Sequence, residues 1–234
     1  MVNLVAMVPA RSGSIGIKNK NLVLLGGRPL IEYSIQPAVE CPEITSVYIN
    51  SDSGNILEVG VNAGAKAFWR KPEFSDNHTS MRDVILDFIT VLADEDVQPD
   101  GIVVMYPTYP FRSAGDLSEI ARQFYQLGAD RSMIGFKKPE THPYLCFDLD
   151  TSNNPKMVAN YDINNLYRRQ DYPIYYELTM WVCIVPTAGV KSLNAQLMND
   201  HTYGYIVPDH ARTVDIDTPD DLEYAEFLIH KEGH

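Results

Sequence analysis

Short apolar runs that alternate with amphipathic stretches set the strongest constraint on how this chain folds. Leu4–Val8, Val47–Asn50, Ile102–Met105, Ser132–Gly135, Trp181–Val185 and Thr213–Ile216 read as strands. Leu30–Val39, Asn55–Ala63, Met81–Ala93, Asp116–Leu127 and Pro219–Ile229 carry the helical pattern. Strands that are apolar on both faces belong in a mostly parallel sheet with helices packed on either side. The expectation is therefore an α/β fold in one domain spanning 1–234, whose ligands gather at the carboxyl ends of the strands. Residues 137–176 break the rhythm. They are rich in Pro, Asn, Asp and Tyr, and read either as an ordered excursion that packs on a second subunit or as a long surface loop.

Charge narrows the function. The chain has 31 acids against 19 bases, a net charge of −12, which disfavours nonspecific nucleic-acid binding. Yet residues 1–31 contain no Asp or Glu. In that acid-free stretch lies Pro9–Leu22, where Arg11, Lys18 and Lys20 surround a backbone freed by Gly13 and Gly16 and lined by Ser12 and Ser14. Exposed N–H groups among cations suit a polyphosphate. The loop matches neither G-x-x-x-x-G-K-[ST] nor G-x-G-x-x-G, so a Walker-type ATPase and a dinucleotide enzyme are disfavoured. A plain Gly/Ser connection with solvated lysines is the competing reading.

A second segment, Asp215–Leu222, complements the first. In an extended chain, residues i and i+2 share a face, so Asp215 and Asp217 would hold two carboxylates side by side. That repulsion calls for a cation, and hard oxygen ligands suit Mg²⁺. Thr218, Pro219, Asp220 and Asp221 instead read as the start of a helix. Tyr106–Arg112 is a loop stiffened by Pro107 and Pro110, which aims Arg112 and the tyrosines. Arg70 could reach a base or ribose, and Arg168–Gln170 a carboxylate. No signal peptide or membrane-spanning run is read from the chain, so a soluble protein without a membrane partner is expected. Cys41, Cys146 and Cys183 are far apart, without a zinc pattern, as in a reducing cytoplasm.

In order and spacing these segments resemble the acylneuraminate cytidylyltransferases (CMP-sialic acid synthetases) and their relatives acting on other eight- or nine-carbon keto acids. P-A-R-x-G-S-K-G-I…K-N resembles Pro9–Asn21, and R-P-x-x-x-x-x-D resembles Arg70–Asp76 with Lys71 inserted. Q-P-T-S-P-L-R resembles Tyr106–Arg112, R-Q-x-x-P resembles Arg169–Pro173, and D-I-D-T-P-x-D-L resembles Asp215–Leu222.

The resemblance implies a Rossmann-like three-layer fold and a homodimer in which the middle excursion reaches the partner's active site. It implies transfer of CMP from CTP to the anomeric hydroxyl of an acidic 2-keto sugar, with release of pyrophosphate. Arg11, Ser12, Gly13, Ser14, Lys20 and Asn21 would hold the triphosphate, and Arg70 and Ser80 would seat the nucleotide. Tyr106, Arg112, Arg169 and Gln170 would face the acceptor. Asp215 and Asp217 would hold Mg²⁺, and Arg11, Lys20 and Asp217 would be the catalytic groups.

Four positions depart from the family pattern. Ile15 replaces a lysine of the triphosphate loop, Tyr106 replaces a glutamine that contacts sugar, Cys183 stands near a usual aromatic, and an Asn-Gly before Trp181 is absent. Three of these fall on the acceptor side. They keep two alternatives open, a cytidylyltransferase for a non-sugar acid such as a phosphonate and a nucleotide-binding homologue that does not catalyse.

Overall fold

The computed structural model describes residues 3–14, 16–76, 79–208 and 211–232. Its centre is a seven-stranded sheet in the order β11-β7-β10-β6-β1-β4-β5. The strands are β1 (Leu4–Pro9), β4 (Ile44–Ser51), β5 (Lys66–Trp69), β6 (Gly101–Val104), β7 (Met133–Lys137), β10 (Glu177–Pro186) and β11 (Tyr203–Ile206). β6, β1, β4 and β5 run parallel, β11 is parallel to β7, and only β10 runs against its neighbours. This is the mostly parallel, Rossmann-like α/β architecture expected from the sequence.

Helices cover both faces. α1 (Glu32–Glu40), α2 (Gly54–Asn62) and α4 (Ala114–Gln126) pack on the side to which β1 sends Leu4, Ala6 and Val8. α3 (Met81–Asp94) and the turn Thr187–Ser192 cover the side that receives Val5 and Met7. Ile31, Ile35, Ile120 and Phe124 fill the first layer, and Ile85, Phe88 and Leu92 the second, all nearly inaccessible. Each such side chain contributes roughly 1.5–3 kcal/mol by leaving water. α5 (Pro219–Glu232) closes a third, smaller core in which Ile216, Ala225 and Ile229 meet Leu25 and Leu30, beside the short ladder of β2 (Leu24–Leu25) and β3 (Arg28–Pro29).

The predicted strand at Thr213–Ile216 does not form. Ala211–Thr213 is a helical turn, and Ile216 is fully buried in the α5 core while Val214–Asp217 crosses as irregular chain. Apolar residues there serve a helix contact, not a ladder. Residues 138–176 leave the central sheet and carry a short ladder of their own, β8 (Phe147–Leu149) against β9 (Pro155–Met157). The base of this excursion is held by an aromatic cluster. Tyr144 and Tyr161 stack at 3.9 Å, His142 lies 4.6 Å from Tyr172, and Tyr161 donates to the Tyr144 carbonyl at 2.6 Å.

Candidate nucleotide and metal site

Four parallel strands end together, and their carboxyl ends deliver the predicted segments to one place. β1 leads into Pro9–Asn21, β4 into Asp52, β5 into Arg70, and β6 into Tyr106–Arg112. A backbone hydrogen bond from Ile216 N–H to Thr108 carbonyl, 2.9 Å, then lays Asp215–Asp217 on the β6 loop.

The glycine-rich loop bends sharply, with Ser14 N–H on the Ser12 carbonyl at 3.1 Å. Around Gly13 the backbone is open: a side chain there would touch nothing within 4 Å. Gly16 is the opposite case. A Cβ at Gly16 would overlap the carbonyl oxygen of Asp217, so only glycine lets the loop reach the Asp segment. Asn19 then takes a left-handed conformation (φ 54°), a backbone state that asparagine tolerates. It turns Lys20 toward Asp217, where Nζ stands 2.5 Å from Oδ1. Asn21 is buried, and its amide donates to the Arg11 carbonyl at 2.9 Å. Ile15, the position of the missing lysine, lies outside the described residues.

Ser51 and Asp52 fall at a strand's carboxyl end as the sequence led one to expect, but the sequence assigned Asp52 no role. Its carboxylate accepts from Ser12 N–H at 2.8 Å and Ser12 Oγ–H at 2.9 Å, so an acid holds the mouth of a cationic loop. Asn50, fully buried on β4, accepts from Arg70 Nε at 2.6 Å. Arg70 is itself 5% exposed, and its Nη2 is buried with no partner. Burial lowers its pKa to about 10, with Asp52 pulling upward and Arg11 downward. Tyr106 is pushed well above the usual tyrosine range by burial, and it senses Arg70 and Cys183.

The Asp pair is asymmetric. Asp217 is exposed, whereas Asp215 is half-buried. Asp215 Oδ2 accepts from Tyr109 Oη–H at 2.7 Å, while Oδ1 is buried and receives no hydrogen bond of ordinary geometry. Burial raises the Asp215 pKa above the usual carboxylate value, against the Thr108 and Tyr109 side chains, and the Asp217 charge adds to the rise. Asp221, in the first turn of α5, accepts from Thr218 N–H at 2.7 Å and Asp217 N–H at 3.1 Å, while its own N–H donates to the capping Thr218 hydroxyl at 3.3 Å.

Four expected site residues make no described hydrogen bond or ion pair with the cationic loop or the Asp pair. Ser80 caps α3, accepting from Asp83 N–H at 3.2 Å and donating to its carboxylate at 2.7 Å. Arg112 is buried behind the β6 loop, where it donates to the Tyr106 carbonyl at 2.5 Å, Ser34 Oγ at 2.8 Å and the Trp181 carbonyl at 3.3 Å. Those bonds commit its guanidinium to shaping the loop. Arg169 and Gln170 are exposed on a turn of the excursion, and no described hydrogen bond or ion pair joins them to the cationic loop or the Asp pair.

Among the described residues, no cluster of three or more His, Cys, Asp or Glu is arranged to hold a metal, and no helix is long and apolar enough to cross a membrane. The chain is 27% identical over 233 residues to an N-acylneuraminate cytidylyltransferase of Streptococcus agalactiae, covering 98% of this chain and 52% of that protein. It thus spans about half the length of the streptococcal relatives. A CMP-N,N'-diacetyllegionaminic acid synthase of Legionella pneumophila is also 27% identical, with 97% of both chains covered. The fold matches a CMP:2-keto-3-deoxy-manno-octonic acid synthetase solved with CTP, with a TM-score of 0.71 at 16% identity and coverage of 98% and 99%. The family model described as cytidylyltransferase matches residues 5–233, so the chain belongs to the cytidylyltransferase family.

Proposed function

We propose that this protein transfers CMP from CTP to the anomeric hydroxyl of an acidic 2-keto sugar of the sialic or legionaminic type, releasing pyrophosphate. The observation that carries the reading is the fusion of two half-sites: the cationic loop abuts the Asp segment through Gly16, and Lys20 bridges to Asp217. Relatives named for sialic, legionaminic and pseudaminic acids support the acceptor class.

The chain's own groups supply alignment and charge neutralisation, which is most of what phosphoryl-type transfer needs. The open backbone at Gly13 and the Ser14 hydroxyl, with Arg11 and Lys20, would hold the triphosphate and steady the departing pyrophosphate. Arg70, with a buried donor to spare, would seat the nucleotide. The bare Oδ1 of Asp215 fits a divalent cation, and two carboxylates suffice for Mg²⁺, which keeps waters and takes phosphate oxygens as further ligands. Held by Asp215 and Asp217, Mg²⁺ would neutralise phosphate oxygens and ease deprotonation of the attacking hydroxyl. Asp217 would orient that hydroxyl. The exposed apolar residues of the excursion, among them Val158, Tyr167 and Ile174, fit a homodimer that carries Arg169 and Gln170 to the partner's acceptor. The three free cysteines fit a reducing cytoplasm.

Incubation with CTP, Mg²⁺ and a panel of sialic, legionaminic, pseudaminic and eight-carbon keto acids tests the reading. Pyrophosphate release with at least one is expected, and none with any overturns it. Tyr106 favours one second reading, a non-sugar acid acceptor, because a desolvated phenol stands where the resembled family pattern has a glutamine. Release with phosphonates alone would establish it.

A further inference from the structure

A buried tyrosine hydroxyl needs a partner in any protein. What exceeds that need is how Tyr109 divides Asp215. The hydroxyl donates to Oδ2 at 2.7 Å and accepts from Met180 N–H at 3.4 Å, so both of its capacities face fixed groups. The ring is only 7% exposed, and its backbone is held by Tyr109 N–H on the Tyr106 carbonyl at 3.2 Å between Pro107 and Pro110. The carboxylate is anchored too, because Ile216 next to it is locked in the α5 core and hydrogen-bonded to Thr108. With Oδ2 accepting from Tyr109, and the Thr108 side chain against the carboxylate without an ordinary hydrogen bond to Oδ1, Oδ1 is the freer oxygen of Asp215 for a ligand.

We propose that Tyr109 is a positioning residue for the divalent cation: it blocks Oδ2, restricts Asp215 to one-oxygen ligation through Oδ1, and pre-orients that oxygen before the metal arrives. Groups hydrogen-bonded to metal ligands commonly set affinity by 10- to 100-fold. The proposal rests on the reading of Asp215 as a metal ligand, and the test separates the two.

Mn²⁺ alone is titrated into wild type, Tyr109→Phe and Asp215→Asn, with free Mn²⁺ read by electron paramagnetic resonance. Tyr109→Phe removes one oxygen and keeps the ring, so its circular dichroism is expected to match wild type. Its Mn²⁺ affinity is expected to fall about 10-fold or more, and its activity to need correspondingly more Mg²⁺ while kcat at saturating Mg²⁺ stays within about threefold. If Asp215→Asn binds Mn²⁺ like wild type, the metal reading itself falls. If Asp215→Asn loses binding while Tyr109→Phe keeps wild-type affinity, the positioning role falls and the metal reading stands. A Mn²⁺-soaked wild-type crystal gives an answer independent of any variant. The ion is expected on Oδ1 with the Tyr109–Oδ2 hydrogen bond intact, and an ion spanning both oxygens of Asp215 overturns the proposal.

Discussion

Lys20 Nζ lies 2.5 Å from Asp217 Oδ1, an ion pair between residues 197 positions apart. Asp217 is 67% exposed, so the pair contributes at most about 1 kcal/mol to stability. Its value is in placement. Lys20→Met is expected to cut transfer by about 100-fold or more while the unfolding midpoint barely moves. Lys18→Met, altering an exposed neighbour, should leave the rate within a few-fold. Steady-state pyrophosphate release on both variants, beside thermal unfolding, checks the contrast.

Gly16→Ala tests the junction of the half-sites. The new methyl would overlap the Asp217 carbonyl, and a backbone atom cannot swing aside as a flexible side chain does. The loop must withdraw, separating the cations from the Asp pair. CTP affinity by calorimetry is expected to fall at least about tenfold. Gly115→Ala, on α4 and touching only Ser113 Oγ at 3.6 Å, should bind CTP with near wild-type affinity.

The loop and the Asp pair were legible because each is a local pattern: cations and glycines without acids, and carboxylates two residues apart. The place of Asp52 at a strand end was legible, but its role was not. An acid beside a cationic loop reads as a generic charge until β1 and β4 are known to be parallel neighbours, which brings Asp52 onto Ser12. Arg112 shows a different limit, since an arginine that binds ligand and one that satisfies buried carbonyls have the same sequence signature. β5 and β11 escaped for a third reason. Both are four-residue edge strands with one side exposed, too short to declare a buried run. The helices, whose longer periodicity integrates over several turns, fell within a few residues of expectation.

The excursion's apolar surface predicts assembly. Val158 and Ile174 are 66% and 73% exposed in the single chain. Val158→Asp with Ile174→Asp is expected to convert a dimer to a monomer in sedimentation velocity, with far-UV circular dichroism unchanged. An unaltered sedimentation coefficient would place the interface elsewhere.

Acid stability has a separate source. Glu43 accepts from Ser118 Oγ–H at 2.6 Å, joining the turn before β4 to α4. Burial acts to raise its pKa, but hydrogen bonds from Ser118 and Cys41 and the charge of Arg122 outweigh it, and the net shift is downward. A lowered folded pKa gives stability that is present above the ordinary glutamate value and lost as pH falls through the folded one. Glu43→Gln should therefore cost about 1 kcal/mol at neutral pH, and the difference from wild type should shrink below about pH 4.5. Denaturant melts at pH 7 and pH 3 measure it.

The Gly16–Asp217 contact also bears on how the site comes into being. It joins the loop after the first strand of the sheet to the segment just before the last helix, so the two ends of the fold must be brought together before the site exists. Nucleotide binding is then a report on finished folding. A refolding chain, however much secondary structure it has regained, should bind CTP only when its two distant segments close on each other.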